Sequence, residues 1–211
     1  MSTIVGGTVS KLVGGKFANG AVGSALSSLL EIAQLDSSKE LVVGSGEGRG
    51  ASPSFADLSI EAKGFGSANE AAHAFGEKYG PLGLDGPREY NTGIIQLGDE
   101  EFGYVKPLAG ELGSKTVSVG AYDAALQARY GDAYISLAHT HFDSNLIFSS
   151  YDVQVAQILP LYLHNRSGQT LLLNSDIIRR TIRGSSYKGP NALRQYLNSN
   201  QGMQGECVYG C

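Results

Sequence analysis

AYISLAHTHFDSNLIFSSYD, residues 133–152, runs an apolar stretch into His139-x-His141, then, after seven residues, Ser149-x-x-Asp152. Side chains repeat with period two along a strand, so His139 and His141 project from one face. Tyr134, Ile135, Leu137 and Ala138 read as a buried strand with the histidine pair at its far end. Two imidazoles and a nearby carboxylate make three protein ligands for a divalent ion. The fourth place is left to water, as in a catalytic zinc site rather than a closed structural one. Asp143 is a rival carboxylate, but two residues after His141 it would need a strained loop. Ser149-x-x-Asp152 also reads as a helix cap opening a helix over 150–159, which is compatible with Asp152 as a ligand.

The pattern H-x-H-x7-S-x-x-D resembles the signature of the JAMM (JAB/MPN) zinc metallopeptidases. Phe142 stands where that family often has proline. The resemblance implies Zn²⁺ on His139, His141 and Asp152, with Ser149 steadying the tetrahedral intermediate. It also implies an upstream glutamate that works on the water. Glu89 opens the strand read at 88–97 and has Gly93 four residues on, which matches that glutamate's place; Glu100, Glu101 and Glu111 lie in or after the following turn. Pro160-Leu-Tyr-Leu163 is similar to the strand that follows the metal helix in the family. Residues 65–175 also resemble a domain of unknown function that recurs in Rhs-type proteins. GGTVSKLVGGKFANGAV, residues 6–22, looks like the segment ahead of toxin domains in Rhs and haemagglutinin-type polymorphic toxins.

The 211 residues allow one well-buried domain and an appendage. Net charge is −4 and no five like charges adjoin, so the positive footprint of a nucleic-acid binder is missing. No run of 18 apolar residues predicts a membrane span, and no cationic start with an apolar core predicts a signal peptide. Glycine, at 29 residues, is about twice the ordinary ~7% usage and densest before position 50. Cys207 and Cys211 leave two states open, a small disulfide loop or two free thiols.

In chain order, residues 1–34 read as a glycine-rich segment with a weak helix over 21–34, and 44–50 as a linker. Ser67-Ala-Asn-Glu70 is a capping box for a helix whose Ala71, Ala72, Phe75 and Tyr79 share a face. His73 falls off that stripe and reads as a surface residue. A hairpin follows over 88–108, then a short helix ending at Gly131. After Pro160 come a strand, a turn and a strand to 174, with His164 read as exposed at the hairpin end. The arginines at 179, 180 and 183 read as a solvated face, and a helix is predicted at 192–197.

The expected fold class is α/β (α+β): a cytidine-deaminase-like, JAB-type sheet flanked by helices and preceded by a Gly-rich segment. Three parts are expected: 1–61 as pre-toxin segment and linker, 62–185 as the hydrolase domain, and 186–211 as a loosely ordered tail. The resemblances imply a zinc-dependent peptidase or isopeptidase acting on a peptide or protein substrate. It would be delivered into a target cell within a larger exported protein and restrained by a cognate immunity protein. The alternatives are a metal-dependent nuclease or other hydrolase, and a non-catalytic binding or processing module.

Overall fold

The computed structural model describes residues 57–85, 87–112 and 120–211. The expectations for 1–34 and 44–50 lie outside the described residues. Two compact units divide the chain. One comprises Met1–Leu58 with Gly120–Asp132, the other Ser59–Val119 with Ala133–Cys211. The first holds helix α3 (Gly120–Tyr130), whose Tyr130 hydroxyl donates to the Leu58 carbonyl. The second carries every residue singled out as a candidate ligand or catalyst.

That second unit is built on a mixed eight-stranded sheet flanked by helices, an α+β arrangement. Its strands are β1 (Ile60–Phe65), β2 (Tyr90–Gly98), β3 (Glu101–Val105), β4 (Leu108–Ala109), β5 (Tyr134–Thr140), β7 (Leu161–His164), β8 (Thr170–Leu173) and β10 (Glu206–Tyr209). The order is β1-β3-β2-β5-β7-β8-β10, with β4 pairing to β2. All pairs are antiparallel except β5–β7, which is parallel. A parallel neighbour needs a crossover. Here it is supplied by β6 (Ile147–Phe148) and helix α4 (Ser150–Ala156), and β6 forms a separate ribbon with β9 (Met203–Gln204).

Helix α1 (Ala68–Tyr79) covers one face of the sheet. The stripe read from sequence is the one that packs: Ala71, Ala72 and Phe75 are buried with Ile94, Tyr104, Ala138 and Tyr162, and Tyr79 lies against them. Ser67 caps the helix by accepting from the Glu70 amide at 3.2 Å. The reciprocal half of the predicted box is displaced by one residue, because the Glu70 carboxylate accepts from Gly66 N rather than Ser67 N. A short helix α2 (Leu82–Asp85) follows.

Three readings need correction. Helix α4 ends at Ala156 rather than 159, so it stops well short of Pro160. His164 is not exposed: it is buried, at 4% exposure, because α1 lies over it. Residues 186–211 are not a loose tail. After α5 (Ser175–Gly184) they form α6 (Ala192–Asn200), β9 and β10, and β10 extends the main sheet against β8. Of the two cysteine states left open, the structure has the disulfide Cys207–Cys211. No helix among the described residues is long and apolar enough to cross a membrane.

Candidate metal centre

Strand register decides which predicted residues meet. β2 and β5 run antiparallel with Asn91 opposite His139 and Thr92 opposite Ala138. Carrying that register two residues outward sets Glu89 opposite His141, on the face His139 shares. The side chains follow it: Glu89 Oε1 lies 3.8 Å from His141 Nε2, and Glu89 is buried. Its carbonyl accepts from Gly110 N at 2.7 Å, which fixes the backbone just ahead of β2.

The two imidazoles sit side by side, ring centroids 5.1 Å apart and planes tilted by 58°. His141 N bonds to the His164 carbonyl at 2.7 Å, so the strand geometry continues past the formal end of β5. His141 Nδ1 stands 3.2 Å from the Asn145 carbonyl. Donation there leaves Nε2 as the lone-pair nitrogen, turned toward Glu89. His139 is wedged edge-on against Phe148 at 6.0 Å and is buried, and its Nδ1 has no hydrogen-bond partner. Burial pushes its pKa down to about 4; the Asp152 charge opposes that fall and His141 adds to it. A buried imidazole that stays neutral and keeps a nitrogen unpaired has the chemistry of a metal ligand.

Asp152 lies on the first turn of α4. Ser149 and Asp152 form a complete capping box: Ser149 Oγ accepts from Asp152 N at 3.2 Å, and Asp152 Oδ2 accepts from Ser149 N at 2.8 Å. Ser149 Oγ also donates to Oδ2, at 2.7 Å. The capping reading therefore holds in full, and the box engages Oδ2 alone among the two carboxylate oxygens. Ser149 thus orients Asp152, and its proton is committed there rather than to the cleft. The rival Asp143 turns back on its own loop, accepting from Asn145 N at 3.0 Å.

Sequence reasoning passed over a second group. Among the described residues, His73, Glu77 and His164 are the set whose candidate ligand atoms all lie within 4.8 Å of one another, and they can hold a metal ion. His139, His141, Asp152 and Glu89 are spread more widely than that. Burial pushes the His164 pKa down to about 4, against the opposing charge of Glu77. The overlooked signal was helical spacing: His73 and Glu77 are four apart on α1 and share a face. Asn91, buried and in register with His139, was also missed. No family model matches the chain, and no curated protein or solved structure matches it either.

Proposed function

We propose that the chain is a zinc-dependent hydrolase of amide bonds, acting on a peptide or protein. The observation that carries this reading is the register-enforced pair of Glu89 and His141, 3.8 Å apart, beside the buried and unpaired His139 nitrogen. The donor set of two imidazoles and a carboxylate suits zinc. His139, His141 and Asp152 would hold it, and when bound it supplies Lewis-acid polarisation and a water of lowered pKa.

The protein's own groups supply the rest. Glu89, walled in beside His141, takes the proton from the attacking water and returns it to the leaving amine. The Asn145 carbonyl holds the His141 ring in one tautomer, and Ser149 holds the Asp152 carboxylate in one orientation. Relief of that capping contact would be required before Ser149 Oγ could donate to a developing oxyanion.

The toxin reading rests on residues 6–22 and their resemblance to pre-toxin segments. It implies delivery into a target cell as the tip of a larger exported protein, with an immunity protein as partner in the producing cell. Glu89→Gln tests the chemistry. The variant is expected to keep its zinc and lose about 10²–10⁴-fold in activity, with loss of target-cell killing. Full toxicity in Glu89→Gln would mean a non-hydrolytic mode. Loss of zinc together with activity would make Glu89 a ligand instead of a base.

A further inference from the structure

The geometry points to a second metal site on the α1 face of the sheet, where His73, Glu77 and His164 bind a zinc-class divalent cation that clamps α1 to the β7–β8 hairpin. The two sites cannot be one. In the parallel β5–β7 pair, His139 is level with Leu163 and Thr140 with His164. Neighbours in register share a face, so His164 and His139 point to opposite sides of the sheet.

The chain makes room for His164 under the helix at one residue. A Cβ at Gly76 would lie 2.1 Å from His164 Cγ, and one at Gly80 would lie 3.2 Å from Cδ2. Glycine at 76 costs helix stability, yet only without a side chain there can the helix come down on an imidazole ring. The ring is then fixed in orientation, because His164 Nδ1 is 2.9 Å from the Thr170 hydroxyl. Thr170 is its register partner across the hairpin. That leaves His164 Nε2 facing Glu77 Oε1 at 3.7 Å, too far for a hydrogen bond. Two ligand atoms at the ~2.0–2.2 Å bond lengths of tetrahedral zinc stand about 3.4 Å apart, close to this separation.

His73 completes the set from one turn before Glu77. Its Nδ1 is 3.1 Å from the same Thr170 hydroxyl, and its ring stacks on Tyr209 with centroids 4.6 Å apart and planes 8° from parallel. Both imidazoles are therefore held by the fold, with Thr170 as the shared outer partner that metal-binding histidines ordinarily have. Two imidazoles and one carboxylate favour zinc, nickel or copper over magnesium and calcium. The Glu77 side chain is 58% exposed, so an ion reaches the site from solvent and a water can fill a fourth place.

The test uses the full chain, stripped with a chelator and titrated with Zn²⁺ and then with Co²⁺ as a spectroscopic probe. His141→Asn is made first, to disable the other site. In that background about one equivalent of Zn²⁺ should still bind and raise the melting temperature. Adding Glu77→Gln or His73→Gln should weaken binding at least tenfold and abolish the thermal shift. Glu77 is exposed and Gln preserves its shape, so this variant decides the matter even if His73→Gln disturbs the Tyr209 stack. The proposal is overturned if the His141→Asn chain binds no zinc, or if Glu77→Gln binds it as tightly as its parent. Zinc binding that survives His141→Asn unchanged and fails in Glu77→Gln would leave this site standing and remove the first.

Discussion

At the scale of single residues, position 76 shows how a local rule is overridden. Alanine is the better helix former by about 1 kcal/mol, so an exposed Gly76 would gain from Gly76→Ala. Here the added methyl would meet His164 Cγ, Nδ1 and Cβ within 2.1–2.5 Å, atoms near the root of a buried ring. Overlap this close to the ring's root falls in the upper part of the overpacking range, roughly 2–3 kcal/mol. Gly76→Ala is therefore expected to lower stability by roughly 1–2 kcal/mol net, read by urea denaturation. It should also weaken Zn²⁺ binding at the α1 site in the same chain. A neutral or stabilising outcome would mean that the ring moves aside freely and that α1 is not seated on it. His164 was read as exposed because it stands at a hairpin end, and that local reading contains nothing of the helix folded over it.

At the scale of elements, the legible parts were those whose signal is local. Helix α1 announces its start through Ser67 and its buried face through Ala71, Ala72 and Phe75. Strand β5 is a continuous apolar run, and α4 is marked by Ser149 and Asp152. Strand β10 was not legible: its sequence lies among glycines and polar residues, and it becomes a strand by pairing with β8. The meeting of Glu89 with His141 lies between these cases. The residue was singled out because its place at the strand start matches the glutamate of the resembled family, but its contact with His141 depends on the β2–β5 register, which one sequence does not state. On the proposed function, the cap of α4 would join stability to metal binding. Ser149→Ala removes the hydroxyl that accepts from Asp152 N and donates to Asp152 Oδ2. Loss of such a cap costs about 0.5–2 kcal/mol. Release of an outer partner from a ligand typically weakens metal binding by about 10–100-fold. Both losses are expected together in Ser149→Ala, by denaturation and by zinc titration with Glu77→Gln also in place. A lowered stability with unchanged zinc affinity would take Asp152 out of the ligand set.

At the scale of the whole Ser59–Val119 and Ala133–Cys211 unit, the sheet sets His139 and His164 on opposite faces and uses tyrosines to fill the α1 side. Tyr104 and Tyr162 are buried there with Phe75, and Phe75 meets Tyr104 edge-on at 5.8 Å. The Tyr162 hydroxyl donates to Asn69 Oδ1 at 2.7 Å, and burial pushes its pKa up to about 12. Tyr104 is raised as well, burial being the main cause. The sign of the linkage follows. Below pH ~10 these phenols are protonated in folded and unfolded chain alike, and stability does not depend on them. Above it the unfolded chain releases protons that the folded one keeps, so stability falls as pH rises, and for Tyr162 the fall ends where the folded phenol also ionises, near pH 12. For Tyr162 the loss across that window is on the order of 2 kcal/mol. Tyr162→Phe separates this from general alkaline unfolding. It should cost about 1 kcal/mol at pH 8, through the lost hydrogen bond to Asn69, yet decline less steeply than the parent between pH 10 and 11.5. Denaturant midpoints of the chelator-treated chains at several pH values measure both effects. Parallel declines in the two proteins would show that Tyr162 ionises as readily in the folded chain as in the unfolded one, and that the α1 side of the sheet is open to water.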